Sequence, residues 1–370
     1  MKCHQPVTAY LQYKSFRINL LNGKKDDTTV SEFLESLEQD DLNGFFEKPK
    51  IYHLFYELGY LVEGWSELLR ENVPLAICLE YEKTEIYQMG TAEEGRDPMN
   101  LRVLQYPDLK AYKEKFNQGQ EFLLKGDCYQ FNLTAPFYFG FEEDLTPEDC
   151  INKVWSMPLS VGAYAHCSFI SELNQLFLSN SPECLFQVRN QEGGSSSIYS
   201  MPIKGTIKIN EESERKKAWS ILKNSLKDQA ELYMITDLVR NDLTRVQMSP
   251  AQTRSKKLPL HVPGIVHQYS IVESAINGPL NLRDALKGLF PGGSVTGAPK
   301  KRVLKILRDL EEHERGFYCG STVILHRNLK AASINIRSCE IDFSSREMKY
   351  CAGGAITLNS EVQSEFDETY

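Results

Sequence analysis

The chain has 370 residues, of which 41% are hydrophobic, 25% charged and 11% aromatic, an ordinary globular balance that excludes a wholly disordered or collagen-like polypeptide. With 50 acidic side chains against 42 Lys and Arg, the net charge is −8, which argues against a dedicated binder of nucleic acid or of an anionic membrane. No apolar run approaches the ~18 residues a membrane span needs, and the opening MKCHQPVTAYLQYKSF carries no apolar signal core, so no export and a cytoplasmic location are expected.

Nine cysteines, none in C-x-x-C spacing, speak against a zinc ribbon or disulfide framework and for reduced, mostly buried thiols. Residues 1–105 are short apolar runs broken by charged turns such as GKKDD (23–27) and AEEGRDP (92–98). Leu109, Tyr112, Phe116 and Leu123 fall on helical spacing, and that helix should stop at Gly126. A strand follows, with Tyr129, Phe131, Leu133, Ala135, Phe137 and Phe139 alternating with polar residues. Its polar face, with Gln130, Asn132 and Thr134, either lines a cleft or is solvated. Further strands are expected over 161–170, 173–179 and 200–209, with EGGSSS (192–197) as a hairpin tip, and helices over 211–226 and 228–241. Beyond Gly264, strands are expected over 265–274, 317–325, 331–340 and 348–352, and helices over 282–289 and 299–314. Strands come in runs with helices between the runs, which predicts an α+β fold, a large α/β sandwich with extensive antiparallel sheet. No Pro/Ser-rich linker divides it, so one compact unit is expected.

Several short segments can carry chemistry. PGGSVTGAP (291–299) frees the backbone at Gly292 and Gly293 and exposes amides before a helix start, where an anion can sit. Ala298 and Pro299 replace the Lys-Ser/Thr of a phosphate loop, so a carboxylate suits it better than a nucleotide. PIKGT (202–206) sets Lys204 among apolar neighbours, either as an exposed strand lysine or as a nucleophile. Asp228 and Glu231 lie i, i+3 on a predicted helix, and so do Glu365 and Glu368 behind a Ser360/Gln363 capping box. Such carboxylate pairs are either solvated faces or, with no His or Cys beside them, ligands for a hard cation such as Mg²⁺. SNSPE (179–183) places Glu183 after a strand, suited to a general acid. In SINIRS (333–338), Arg337 falls on the polar face of a predicted strand, where its fork can clamp a carboxylate.

Taken in order, GDCYQFNLT, SNSPE, PIKGT, AELYMITDLVRNDL, PGGSVTGAPKKRVLKIL, GFYCGS, SINIRS, AGGAI and SEFDET resemble the chorismate-utilising enzymes over about residues 109–370. Within that family the likeness is nearest to the type that aminates C4 of chorismate, aminodeoxychorismate synthase component I, because PIKGT carries Lys204 where anthranilate synthases typically carry Ala. The resemblance implies two mostly antiparallel sheets with outer helices and chorismate bound between the sheets. Residues 106–370 would be the catalytic region and 1–105 an abbreviated N-terminal part. It implies Glu231, Glu365 and Glu368 as the Mg²⁺ set, Glu183 as general acid and Lys204 as nucleophile. Arg337 and the Thr296–Gly297 backbone would hold a carboxylate, with Tyr318 and Gly354 lining the pocket. Ammonia would come from a glutamine amidotransferase, component II, for para-aminobenzoate and folate synthesis.

Against the family pattern, Gln268 stands where many relatives have His, Tyr318 replaces a Trp, and no Leu-Leu-Glu-Ser type segment supports tryptophan feedback. The sequence ends at Tyr370, close to Glu365 and Glu368. The alternatives are anthranilate synthase component I, which aminates C2 and eliminates pyruvate, and a non-catalytic chorismate binder.

Overall fold

The computed structural model describes residues 1–86, 99–142, 144–155, 161–190, 195–247, 249–262 and 264–369. The turn expected at 92–98 and residues 192–194 of the expected hairpin tip lie outside the described residues. Two large antiparallel sheets form an α+β sandwich. The larger runs Ile203–Lys208, Ile265–Ala275, Ser196–Met201, Cys184–Asn190, Leu329–Ser333, Ser321–Arg327, Phe46–Leu54, Ala76–Tyr81, Pro6–Gln12, Arg17–Asn19 and Lys25–Asp26, with Gln252–Val262 also on Ile265–Ala275. The smaller runs His166–Ile170, Gln175–Ser179, Ser338–Asp342, Glu347–Ile356, Gln130–Gly140 and Gly297–Ala298, with Arg102–Gln105 also on Gln130–Gly140.

Apolar periodicity decides which faces are covered. Ile235, Val239, Leu286 and Leu289, from the helices Leu226–Gln247 and Leu282–Leu289, pack with Phe186, Ile198 and Val272 of the larger sheet. Tyr112, Phe116, Ile306 and Phe366, from the helices Leu109–Leu124, Lys300–Leu310 and Val362–Asp367, pack with Phe131, Leu133 and Ile356 of the smaller one. The sheets meet directly where Phe55 and Ile77 pack with Ile170 and Phe177 around Phe317. Elsewhere they part around a cavity. All nine cysteines are free thiols. Among the described residues no helix is long and apolar enough to cross a membrane.

Three expected elements come out differently, each for a local reason. The strand expected over 200–209 is two, Ser196–Met201 and Ile203–Lys208, which pair with successive halves of Ile265–Ala275. Pro202 interrupts it, having no N–H for the ladder, and its carbonyl accepts from Ser270 N at 3.1 Å. The strand expected over 331–340 is also two, Leu329–Ser333 in the larger sheet and Ser338–Asp342 in the smaller. Residues 334–337 cross between the layers, so Arg337 is not on a strand, and its backbone turns at φ 51°. The last helix lacks the capping box: Glu361 is its N-cap without a side-chain bond, and Ser360 Oγ accepts from Thr357 N at 3.1 Å instead.

Candidate active site

A cavity of about 670 Å³ opens between the two sheets. Glu183, Lys204, Glu231, Tyr318, Arg337, Gly354, Glu365 and Glu368 all line it. Two antiparallel crossings between the sheets build one wall. Residues 180–183 pass from Gln175–Ser179 to Cys184–Asn190, and 334–337 pass back from Leu329–Ser333 to Ser338–Asp342. They are tied to each other by Asn180 N to Arg337 O at 3.0 Å, Ile334 N to Glu183 O at 3.1 Å and Ser181 Oγ to Ile334 O at 2.6 Å. Glu183 and Arg337 therefore stand where the chain changes layer.

The cationic end is set by a bulge. Register between Ile203–Lys208 and Ile265–Ala275 slips between Lys204 and Thr206, at Gly205 with φ 83°. A side chain at Gly205 would be strained there, and its Cβ would come within 2.8 Å of Leu222. With this slip Lys204, Thr206 and, opposite Thr206, His267 all reach the cavity. His267 Nε2 lies 2.7 Å from Arg337 Nη2 and its Nδ1 2.8 Å from Thr206 Oγ1. Burial, and then the Arg337 charge, push its pKa down to about 4. Of the neighbouring pair His267 and Gln268, it is His267 that lines the cavity. Val266, Gln268, Ser270 and Val272 share the opposite, fully buried face of the strand, and Gln268 is turned away from the cavity. The period-2 pattern of Ile265–Ala275 already separates His267 from that face.

Glu183 is 4% exposed, and burial pushes its carboxyl up to about 7 against the opposing pull of the Ser294 hydroxyl, Lys204 and Arg337. A carboxyl half-protonated near neutral pH is suited to hand a proton to a leaving group. Ser294 and Val295, not Thr296 and Gly297, bring the PGGSVTGAP segment to the cavity. Residues Gly293–Thr296 form one helical turn, which points successive side chains in different directions. Thr296 is thereby fully buried, its hydroxyl accepting from Tyr56 Oη at 3.4 Å. Gly297 N–H is taken by the Gly293 carbonyl, and a Cβ at Gly297 would lie 2.3 Å from the Gln130 carbonyl. Both residues shape the wall from behind.

The strand Gln130–Gly140 settles the choice left open for its polar face. Gln130, Asn132 and Thr134 are all buried, and Asn132 lines the cavity. Asn132 Nδ2 donates to Ser294 O at 2.9 Å, and Gln130 Nε2 to Asn132 Oδ1 at 3.1 Å. Behind them Arg315, 1% exposed, donates to Val295 O at 2.8 Å and to Asn132 O at 2.7 Å. Glu311 takes both remaining forks of that guanidinium at 2.8 Å and also accepts from Thr134 Oγ1 at 2.8 Å. One buried ion pair thus joins the strand to the glycine-rich turn.

The opposite end is acidic. Glu231 lines the cavity from the helix Leu226–Gln247, with Asp228 one turn before it, and Glu365 and Glu368 line it from Val362–Asp367 and its C-cap. Burial raises Glu231 and Glu365 above the ordinary carboxylate range, and Glu368 repels both. Lys227, also at the cavity, pulls both down. A donor set of oxygen alone, whose members repel one another, fits a hard divalent cation. In the structure the three carboxylates do not converge on one point: no group of three or more such side chains is close enough to hold an ion among the described residues. The further acidic residues Asp237 and Asp242 serve elsewhere, Asp237 with Arg240 at 2.5 Å and the buried Asp242 with Lys300 at 2.9 Å. His267, Ser294, Lys208 and Lys227 are cavity residues that the motifs did not single out.

Comparison with known proteins places this geometry. A family model described as "chorismate binding enzyme" matches residues 63–370. Aminodeoxychorismate synthase component 1 of Salmonella typhimurium is 36% identical over 265 residues, 70% of this chain and 55% of that protein, and its Escherichia coli counterpart is 36% identical over 268 residues with the same coverage. The matched region spans about half the length of those relatives. Anthranilate synthase component 1 of Archaeoglobus fulgidus is 29% identical over 272 residues, 73% of this chain and 62% of that protein. Among solved structures, anthranilate synthase component I from Streptococcus pneumoniae superposes with a TM-score of 0.76 at 20% identity, covering 99% of this chain and 89% of that one.

Proposed function

The chain belongs to the chorismate binding enzyme family, and from that premise we propose that it replaces the C4 hydroxyl of chorismate by an amino group, giving 4-amino-4-deoxychorismate. The observation that carries the reading is Lys204 beside Glu183 in one cavity. An amine nucleophile and a carboxyl held near neutrality are the two groups the exchange needs. Likeness to two aminodeoxychorismate synthases supports it. The likeness to an archaeal anthranilate synthase supports the second reading, amination at C2 with loss of pyruvate.

In the proposed reaction the Lys204 amine bonds to C2 through its nitrogen lone pair, the two ring double bonds shift, and the C4–O bond breaks. The hydroxyl leaves as water with the proton of Glu183. Ammonia then bonds to C4, the double bonds shift back, and the C2–N bond breaks to return Lys204 as the amine. The new ammonium group returns one proton to Glu183, so the balance is ammonia in and water out. Arg337, oriented by His267, pairs with one substrate carboxylate. Glu231, Glu365 and Glu368 would hold Mg²⁺, which supplies positive charge beside an anionic substrate when bound. Ammonia would come from a glutamine amidotransferase partner or from ammonium directly.

Product identity tests this. With chorismate, Mg²⁺ and ammonium, the expected product is a non-aromatic 4-amino compound that persists until a separate lyase removes pyruvate. Direct release of anthranilate and pyruvate would replace this reading by the second. Without ammonia, trapping and mass spectrometry should find a ring adduct on the Lys204 peptide, absent in Lys204→Met. Near-normal amination by Lys204→Met would rule out covalent catalysis. Glutamine should support turnover only with an amidotransferase added.

A further inference from the structure

Behind Glu183 lies a second, much smaller space of about 10 Å³. Glu183 and Ser294 line both it and the main cavity, so their side chains are the partition between the two. The rest of its wall is mixed. Val239, Leu289 and Ile334 are apolar, while Ser200 and Asp242 are polar. Ser200 Oγ donates to Cys184 O at 3.1 Å, which leaves its lone pairs unspent, and Asp242 is paired with Lys300 at 2.9 Å.

At that partition two polar atoms are stranded. Glu183 Oε1 and Ser294 Oγ are buried and have no hydrogen-bond partner. The Ser294 hydroxyl lies near enough to the carboxyl to pull its pKa down, but at a geometry that leaves neither Glu183 Oε1 nor Ser294 Oγ a well-formed hydrogen bond. Native proteins rarely leave buried polar atoms unpaired, since each costs on the order of 1–3 kcal/mol. A space of roughly 10–15 Å³ flanked by two to four polar atoms is what one ordered water requires. The size, the two orphan atoms and the Ser200 lone pairs agree.

We propose that this space is a seat for a single neutral, water-sized molecule that both donates and accepts hydrogen bonds, a water or an ammonia, bridging Glu183 Oε1 and Ser294 Oγ. Occupied, it satisfies both atoms and fixes which carboxyl oxygen faces the ring. Ammonia in the seat would stand behind Glu183, across that residue from the main cavity. Water there would serve only to position Glu183. The seat deepens the role given to Glu183 in the proposed reaction and rests on it for its purpose, not for its existence.

The test combines a high-resolution crystal structure of the full chain with kinetics of two variants. Val239 lines the seat but not the main cavity, so Val239→Ile fills the seat without touching substrate. Ser294→Ala removes one partner and adds no volume, and it carries the test if Val239→Ile fails to fold. Wild-type density should show one ordered molecule about 2.7–3.2 Å from both atoms, absent in the variant. If the occupant is ammonia, the KM for ammonium rises about tenfold or more while adduct formation on Lys204 without ammonium is unchanged. If it is water, the KM for ammonium holds, adduct formation slows several-fold and its pH profile shifts. That profile is shared with the charged groups facing Glu183, namely Lys204 and Arg337 from the cavity and the Asp242–Lys300 pair across the seat. An empty seat in the wild-type crystal, with kinetics of both variants within twofold of wild type, would overturn the proposal. The density reads the seat whichever product the enzyme makes, so failure of the seat and failure of the proposed reaction are separate outcomes.

Discussion

Arg337 donates a guanidinium N–H to Nε2 of His267 across 2.7 Å, and this bond fixes the state of both groups. A guanidinium only donates, so Nε2 must present its lone pair. The ring proton is then on Nδ1, aimed at Thr206 Oγ1 at 2.8 Å. The imidazole is held neutral by burial and by the adjacent positive charge. Arg337 in turn has its fork oriented before any carboxylate arrives, which lowers the ordering cost of binding an anion.

Removing that orientation should therefore appear in binding first. His267→Ala is expected to lower kcat/KM for chorismate about 10- to 150-fold, the range for a hydrogen bond to a charged group of about 1.5–3 kcal/mol, with most of the change in KM. Gln268→Ala should leave KM within about twofold, because Gln268 faces away from the cavity. Steady-state kinetics of the pair decide the matter, and the opposite pattern would restore position 268 to the site.

Glu183 makes stability fall with rising pH. Its carboxyl is raised from the usual range to about 7 in the folded chain. Between about pH 4.5 and 7 the folded state thus keeps a proton that the unfolded state has released, so stability drops across that window and the loss is complete above it. The loss is on the order of 3 kcal/mol at pH 8. Glu183→Gln should melt higher than wild type at pH 8 and equal to it near pH 4, while losing at least about 100-fold in turnover. Thermal melts at the two pH values, giving the same difference at both, would show that the carboxyl is not held up by burial.

Arg315 and Glu311 brace the wall from behind. Breaking a buried ion pair on one side leaves an uncompensated charge, at a cost of about 3–5 kcal/mol. Arg315→Met and Glu311→Met should each show that loss in denaturant titration. Arg315→Met with Glu311→Met should be less destabilised than the sum of the single losses, because neither charge is then stranded. Strict additivity would mean that the pair contributes nothing as a unit.

The acidic end should reveal a metal without any assay of turnover. Ligand that binds only the folded state raises the melting temperature by mass action. Millimolar Mg²⁺ is expected to raise the melting point of the wild-type chain, and Glu365→Gln and Glu231→Gln should blunt the rise. Each neutralisation also relieves repulsion from Glu368, so the variants should be no less stable than wild type in chelator. Identical melts with and without Mg²⁺ would remove the cation from this site.

Local pattern was enough for much of this molecule. The helical spacing of Leu109, Tyr112, Phe116 and Leu123 and the alternation from Tyr129 to Phe139 became the helix Leu109–Leu124 and the strand Gln130–Gly140, because an apolar stripe must be buried and its period names the element. Motif likeness marked Lys204, Glu183, Arg337, Tyr318, Gly354 and the helix glutamates Glu231, Glu365 and Glu368, all of which line the cavity. What it could not give was direction. SINIRS alternates like any strand, yet it is a crossing between layers, since alternation records which residues are buried and not against which sheet. One bulge at Gly205 and one helical turn at Gly293–Thr296 decide that His267, Ser294 and Val295 face the cavity while Gln268, Thr296 and Gly297 do not. Alternation separates His267 from Gln268, but which of the two faces meets the cavity, and which residues of the glycine-rich turn do, belongs to the tertiary structure alone, because a slip of one residue in a strand or about 100° in a turn re-aims a side chain without changing the letters around it.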